Sequence, residues 1–226
     1  MDDLQRGETT PELVAPAQPK RRGLVAEIFR FALMIVAITL LARAFISPFE
    51  VDGQSMTPNL HDRDRVFVSR ARYFHVDLNR WINLLPGEDR QGTDIWYPFN
   101  QPQRGDIVVL NPPTQSDKPF IKRVIGLPGE TVTFQNGYVY IDGVRLDESY
   151  IDGPITECDR QAYCDIGPIP DGYVFVLGDH RDNSEDSRYF GPVAIDQLIG
   201  EAWFTNWPMD VIGRIPSANY PSLSAD

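Results

Sequence analysis

The most strongly apolar part of the chain is a single run near its N-terminus. Residues 1–22 are polar and punctuated by proline, whereas residues 23–46 are predominantly apolar, with Arg30 and Arg43 on either side of their apolar centre. That centre is too short to cross about 30 Å of hydrocarbon, but the whole segment is long enough if both arginine side chains extend to the interfaces. We therefore predict a disordered tail at 1–22 and one N-terminal transmembrane helix at 23–46.

The charges that flank this helix predict its orientation. Lys20, Arg21 and Arg22 directly precede it, and positive charge collects on the cytoplasmic side of a membrane span. This predicts a single-pass type II protein of the plasma membrane, with a cytoplasmic N-terminus and an extracytoplasmic domain at 47–226; a thylakoid membrane is equally compatible. The competing interpretation is a cleaved secretory signal, because Ala42–Ala44 is similar to the A-x-A pattern at which such signals are cut.

Beyond residue 47 the hydrophobic positions form short β-branched runs separated by turn residues. Asn136-Gly137 and Asp142-Gly143 are dipeptides typical of two-residue hairpin turns. No long amphipathic pattern follows the apolar run, so the sequence predicts a mostly β, antiparallel domain. The predicted strands lie within residues 106–110, 119–127, 131–134, 138–141, 144–146 and 173–178.

A Trp- and Pro-rich stretch, Arg80–Gln103, interrupts this pattern. Its aromatic and leucine side chains could lie at a membrane surface, where aromatic rings are favoured. The alternative is a long loop that packs on its own domain. The sequence leaves both interpretations open.

Charge and cysteine content exclude several functions. The formal net charge of −11 argues against a nucleic-acid partner, because a phosphate-binding face needs clustered Lys and Arg. Cys158 and Cys164 are spaced too widely for a CxxC redox motif or zinc knuckle, and no second pair completes a metal site. We therefore expect no metal and no cofactor. In an oxidising compartment the two cysteines favour a short-loop disulfide, with unpaired thiols as the alternative.

Lysine usage indicates a candidate general base. Only Lys118 and Lys122 lie beyond the apolar run, and nothing like G-x-S-x-G is present. Period-two alternation places Lys122 on one strand face with Phe120 and Val124. If that face is buried, desolvation disfavours the ammonium form. Lowering its pKa from about 10.4 to about 7.5 requires roughly 4 kcal/mol, and the neutral amine can then take the proton of a serine.

Four segments occur in order: GQSMTPNL around Ser55, RGDIVVL from Arg104, FIKRVIGLPGE around Lys122, and LGDHRDNSEDSR at Leu177–Arg188. Together they resemble the type I signal peptidase family of Ser/Lys-dyad enzymes. The resemblance implies an antiparallel β-sheet catalytic domain with an inserted smaller β region that holds the cysteine pair. It also implies a membrane-bound serine endopeptidase, expected to be a monomer, that removes signal peptides from exported preproteins at Ala-x-Ala sites.

The resemblance also implies roles for individual residues. Ser55 matches the nucleophile, Lys122 the general base, and Ser184 a serine that orients the lysine. Position 53 is Gly53, where some members have a serine that completes the oxyanion hole, which leaves mainly the Ser55 backbone N–H as donor. His180 stands where asparagine is usual and is assigned no role. Residues matched to support of the site are Arg123, Asp179, Arg181, Asp186 and Arg188. Residues matched to shallow pockets for small substrate side chains are Phe49, Val51, Leu60, Val66, Val109 and Ile121.

Two other functions compete with this interpretation. A membrane-tethered β module that binds an exported partner would have no catalytic use for Ser55 or Lys122. A self-cleaving Ser/Lys protease of the repressor type would need a DNA-binding domain, and the sequence contains no basic domain of that kind. Substitution of the two residues separates the first alternative from an enzyme.

Overall fold

The computed structural model describes residues 23–73, 76–84, 95–97, 100–114, 116–151, 158, 163–216, 218 and 220. The chain divides into two compact units, Met1–Leu41 and Ala42–Asp226. The described α-helices are α1 (Leu24–Phe45), α2 (Leu78–Ile82) and α3 (Ser187–Phe190), and the 3-10 turns are Arg181–Asn183, Ile195–Gln197 and Met209–Val211. The described strands are β1 (Ile46–Glu50), β2 (Arg65–Ser69), β3 (Val76–Asp77), β4 (Ile95–Trp96), β5 (Ile107–Leu110), β6 (Phe120–Gly126), β7 (Val132–Gln135), β8 (Tyr138–Ile141), β9 (Val144–Arg145), β10 (Asp165–Ile166), β11 (Tyr173–Leu177), β12 (Val193–Ala194), β13 (Leu198–Trp207) and β14 (Gly213–Arg214).

Helix α1 forms where the apolar run predicted a helix. Its Val25, Phe31 and Leu40 side chains are exposed, as are most of its other large apolar residues. Among the described residues, no helix has both the length and the hydropathy needed to cross a membrane. The anchor at 23–46 therefore stays a prediction, and the tail at 1–22 lies outside the described residues.

The main sheet is antiparallel and holds the order β1-β2-β13-β5-β6-β11-β12, with β14 paired to β13. β13 is its longest strand, and its register shifts against both β2 and β5. Such bulges increase local twist and bend a strand. One of them lies at Gly200, where a Cβ would meet the carbonyl oxygen of Ser69 at a distance that no side chain tolerates. The sheet can curve at this point because glycine permits the close approach.

The smaller sheet has the order β10-β7-β8-β9 and lies in the chain between β6 and β11, as the resemblance implied. Its two hairpins have positive φ at both turn residues, 52° and 81° at Asn136 and Gly137, and 50° and 82° at Asp142 and Gly143. These are the values of type I′ turns, which match the twist of the paired strands. The disulfide Cys158–Cys164 also lies in this insertion.

Strand β6 departs from simple alternation, because both of its faces are buried from Lys122 to Gly126. Phe120 and Val124 pack in one apolar cluster, Ile121 in a second and Ile125 in a third. The strand therefore contacts all three apolar clusters, one of which includes residues of the smaller sheet. Lys122 is consequently only 3% exposed.

The stretch Arg80–Gln103 is described only in part. Ile95–Trp96 pairs with Val76–Asp77 as a separate two-stranded sheet, and Tyr97 packs against a core cluster of the main sheet. The contact of Tyr97 favours a loop packed on its own domain, whereas Trp96 is exposed, and Phe99 lies outside the described residues.

Candidate active site

Ser55 lies in the segment that leads from β1 back to β2. The segment is closed by backbone hydrogen bonds of 2.8 Å from Val51 N–H to the Asp64 carbonyl and from Arg63 N–H to the Val51 carbonyl. Directly after Ser55, Met56 is fully buried, and its side chain belongs to the same core cluster as Val51. The buried methionine anchors the turn to the core, so the preceding serine is held at the surface of a cleft.

Lys122 reaches Ser55 from β6. Its Nζ lies 2.9 Å from Ser55 Oγ, within hydrogen-bond distance, and 5.1 Å from the centre of the Phe120 ring. Burial lowers the pKa of Lys122 to about 8, against the opposing negative charges of Asp186, Glu185 and Asp179. Relative to a reference value of about 10.4, this is a differential destabilisation of the ammonium form by roughly 3 kcal/mol. The arrangement can therefore present a neutral amine to the serine hydroxyl near neutral pH.

Arg123 points away from the dyad into a second buried site. Its guanidinium forms a bidentate pair with Asp179, with distances of 2.8 and 2.7 Å, and also donates to the Gly105 carbonyl at 3.0 Å. The side chains of both members of the pair are almost completely buried. The bidentate geometry fixes the orientation of both groups beside Lys122.

The segment after β11 is organised by a second buried pair. Asp186 caps helix α3, and its Oδ1 and Oδ2 accept hydrogen bonds of 2.8 and 2.9 Å from Nε and Nη2 of Arg188. Asp186 Oδ2 also accepts a hydrogen bond from the Gly178 N–H at 3.1 Å.

Arg181 makes a further buried pair with Glu148, in which two guanidinium nitrogens donate at 3.0 and 2.6 Å. All five residues matched to support of the site are therefore buried in these ion pairs.

Ser184 is buried beside the nucleophile. A Cβ at Gly178 would lie against Ser184 Oγ and 2.6 Å from the Ser55 carbonyl oxygen, so the three residues meet at one point. Among the described residues, Ser184 Oγ has no hydrogen-bond partner. A role in orienting Lys122 thus stays a prediction.

The segments of Ser55 and of residues 177–188 are joined directly by His180. Its backbone N–H donates to the Ser55 carbonyl at 3.0 Å, and its Nδ1 lies 3.2 Å from the Gln54 carbonyl. Asn59 adds a second link, because its Nδ2 donates to Asp179 Oδ2 at 2.9 Å. The sequence predicted a role for neither residue, because hydrogen bonds between segments that are distant in the chain leave no local sequence pattern.

Gly53 has φ of 101°, and its backbone N–H donates to Asp62 Oδ1 at 2.8 Å. That N–H is consequently engaged within its own loop. Nothing lies within 4 Å of a Cβ built at this position. The Ser55 backbone N–H stays the expected oxyanion donor on this side of the site.

A cleft of about 340 Å³ opens in front of the dyad. Its walls come from β1 and from the start of β6, two strands that the curvature of the main sheet brings face to face although three strands separate them. Leu60 does not belong to this lining; it is buried in the same core cluster as Val51, Val66 and Val109, and its part in a substrate pocket stays a prediction. The predicted pocket residues that do line it are Phe49, Val51, Val66, Val109 and Ile121.

The mouth of the cleft carries opposite charges. Lys118 Nζ pairs with Asp52 Oδ2 at 2.5 Å, and both side chains are exposed. An exposed pair of this kind contributes little to stability and separates readily. Within the described residues, no group of His, Cys, Asp or Glu is placed to hold a metal ion.

Replacement of Gly178 by Ala tests the contact between the two segments. The added Cβ would collide with the Ser55 carbonyl and with Ser184, so we expect the free energy of unfolding to fall by about 1–3 kcal/mol. Gly213→Ala is the matched control, because a Cβ there meets nothing within 4 Å. Chemical denaturation of the three proteins measures the difference, and equal stability of the Gly178 and Gly213 variants would contradict the contact.

Comparisons with known proteins identify the family of the chain. A model of the family described as "Signal peptidase, peptidase S26" matches residues 25–207. A signal peptidase I of Leptolyngbya laminosa is 34% identical over 96% of this chain and 98% of its own length. Signal peptidase I S of Bacillus subtilis is 34% identical over 84% and 93%, and signal peptidase I of Bacillus amyloliquefaciens is 32% identical over 86% and 94%. The family resemblance of the four segments is thereby confirmed: the chain belongs to the signal peptidase family, peptidase S26, and is a serine endopeptidase of the signal peptidase I type.

Proposed function

We propose that this endopeptidase removes N-terminal signal peptides from exported preproteins, and that it cleaves after small residues in Ala-x-Ala sites. Ser55 is the nucleophile and Lys122 the general base. The observation that carries this assignment is the 2.9 Å separation of Ser55 Oγ and Lys122 Nζ, with the lysine buried at the end of a cleft.

The mechanism follows from a neutral amine beside the hydroxyl. Lys122 accepts the Ser55 proton as Oγ attacks the scissile carbonyl, and the resulting ammonium protonates the leaving amine. The same lysine then takes a proton from the water that attacks the acyl-enzyme, and Ser55 leaves with that proton. The Ser55 backbone N–H stabilises the oxyanion, which is worth several kcal/mol at sites of this kind.

The cleft accommodates an extended peptide. Among the described strands, β1 ends the order of the main sheet and keeps one edge free, so a substrate can add to it through main-chain hydrogen bonds. The apolar side chains of Phe49, Val66 and Ile121 line the cleft next to this edge, and small apolar substrate residues such as alanine suit that lining. This supports the Ala-x-Ala preference.

We further propose that α1 anchors the protein in the plasma membrane as a single-pass type II span, with the catalytic unit outside the cytoplasm. Apolar side chains on every face of the helix support this, since such a helix needs apolar surroundings. The basic residues ahead of it support the orientation. In the catalytic unit, the exposed Trp207, Met209 and Ile212 side chains are also suited to a membrane surface.

The dyad predicts that both of its members are required. Wild type in detergent should cut a precursor after the second Ala of its Ala-x-Ala site, and Ser55→Ala and Lys122→Ala should not. Lys122→Arg should also be inactive, because its guanidinium keeps the charge but cannot deprotonate. Ser69→Ala, on β2, is the matched serine control and should retain activity. Mass spectrometry of the fragments measures cleavage. If folded wild-type protein leaves the precursor uncut, the tethered binding module is favoured. If either Ala variant still cleaves, the substituted residue is not a member of the dyad.

The buried lysine also predicts a pH dependence. Since only the neutral amine is a base and the pKa of Lys122 is lowered to about 8 by burial, kcat/KM should rise with pH and level off above about 8. Well below that midpoint it should fall about tenfold per pH unit. Initial rates on an Ala-x-Ala peptide between about pH 6 and 10 measure this, with circular dichroism as the control for folding. A midpoint above pH 10 would contradict a desolvated base.

The type II arrangement predicts an asymmetric digestion pattern. With an epitope tag at the N-terminus, protease added to intact spheroplasts should remove the catalytic unit and leave the tagged fragment protected. Inside-out vesicles provide the control and should give the opposite pattern. Release of protein into the medium, beginning near Phe45, would instead identify the apolar run as a cleaved signal.

A further inference from the structure

Tyr150 lies at the junction of the three segments that carry the dyad. It follows β9 of the smaller sheet, in the stretch Leu146–Ile151, and no sequence motif singled it out. Its contacts reach the turn after Ser55, the residue after Lys122 and the segment 177–188. These contacts are separate from one another and use different parts of the residue.

The ring of Tyr150 supports the Arg123–Asp179 pair. The Arg123 guanidinium carbon lies 4.2 Å from the ring centre, in cation–π geometry. The Tyr150 and Tyr220 rings pack with their centres 6.2 Å apart and at an angle of 86°. The buried guanidinium is thus covered by an aromatic face that has a second aromatic ring packed against it.

The polar groups of Tyr150 link the other two segments. Its backbone carbonyl accepts a hydrogen bond from Asn59 Nδ2 at 2.8 Å, and the same amide also donates to Asp179. Its hydroxyl donates to Glu148 Oε1 at 2.8 Å and accepts from Arg181 Nη2 at 3.2 Å. Burial raises the pKa of Tyr150 well above its ordinary value, so this hydroxyl stays protonated throughout the working pH range.

We infer that Tyr150 is a positioning residue for the Ser55–Lys122 dyad, acting through its ring on the Arg123–Asp179 pair. The inference rests on the proposed function and adds a residue to that site. Tyr150 does not touch the reacting atoms. It keeps the Arg123–Asp179 pair in place, and that pair lies directly beside Lys122 along β6.

Removal of the ring should change the chemistry more than the binding of substrate. Without the ring, the Arg123–Asp179 pair would loosen and Arg123 would neutralise less of the Asp179 charge, which stabilises the ammonium form of Lys122. That form would then persist to higher pH. For Tyr150→Leu we expect kcat to fall by about tenfold or more, with KM changed by less than about threefold. The rising limb of the pH profile should move up by about half a unit or more. Tyr150→Phe keeps the ring and should retain both the wild-type limb and most of kcat.

The chain offers a matched control for this experiment. Tyr138 on β8 of the same sheet also lies against a guanidinium, with Arg145 3.6 Å from its ring centre, but among the described residues its ring partner and its strand partner Gln135 both belong to the smaller sheet. Tyr138→Leu should therefore leave kcat and the pH profile unchanged. If Tyr150→Leu does not fold, Tyr150→Met, whose unbranched side chain adapts more easily to the space of the ring, replaces it in the same comparison.

A second readout does not depend on peptidase activity. The chain has only three lysines, Lys20, Lys118 and Lys122, so competitive acetylation with acetic anhydride at a series of pH values, read by mass spectrometry, reports the titration of Lys122 against exposed Lys118. The Lys122 midpoint should rise in Tyr150→Leu and return in Tyr150→Phe. The inference would be overturned if Tyr150→Leu, after correction for the folded fraction, showed the wild-type Lys122 midpoint and the wild-type kcat. A shifted Lys122 midpoint in Tyr150→Phe would also overturn it. Failure of wild type to cleave precursors would count against the proposed function alone, because the acetylation result stands without it.

Discussion

The site depends on keeping one lysine amine neutral in the presence of several carboxylates. Burial destabilises the ammonium form of Lys122, whereas Asp186, Glu185 and Asp179 stabilise it. Desolvation prevails because the two buried carboxylates are already paired, Asp179 with Arg123 and Asp186 with Arg188. Each arginine neutralises a charge that would otherwise hold the proton on Lys122. In this network each buried carboxylate is paired with an arginine, and burial destabilises the charged form of Lys122.

Such pairs are poorly explained by stability alone. Two charges taken out of water lose hydration that their mutual attraction only partly restores, so a buried ion pair is often no more stable than an apolar replacement. Three of these pairs lie behind one cleft, and each joins segments that are distant in the chain or closes the segment after β11. Their bidentate geometry sets position and orientation, while the apolar clusters of the main sheet contribute most of the folding free energy. The main effect of these pairs is therefore to fix the positions of the segments that they join.

Turns and strands whose conformation depends mainly on neighbouring residues could be predicted from the sequence. Two-residue turns at Asn136-Gly137 and Asp142-Gly143 could be predicted because only a few residues tolerate positive φ at both positions. The apolar strand around Lys122 predicted burial of a charged residue, and hence a candidate base. Strand β13 was not predicted, because its glycine, glutamate and asparagine interrupt the alternation at the bulges that curve the sheet.

Contacts between distant segments could not be predicted. Tyr150 and Asn59 are 91 positions apart, and Asn59 and Asp179 are 120 apart. Neither pair has a sequence signature, since each depends on how the two sheets meet. The lining of the cleft has the same origin: Leu60 lies close to Ser55 in the chain but not in that lining, because β1 and the start of β6 form its walls. Four ordered motifs nevertheless identified the family, because the residues that carry the chemistry lie within them.

The topology explains why the smaller sheet reaches the site at all. It is inserted between β6 and β11, which are paired, so the chain must leave and return at adjacent points. β6 carries Lys122 and Arg123, and β11 leads directly into Asp179. An insertion at this place begins and ends beside these residues, and its Tyr150 contacts both Arg123 and Arg181. A larger or differently shaped insertion could retain the function only by supplying an equivalent cover for the Arg123–Asp179 pair.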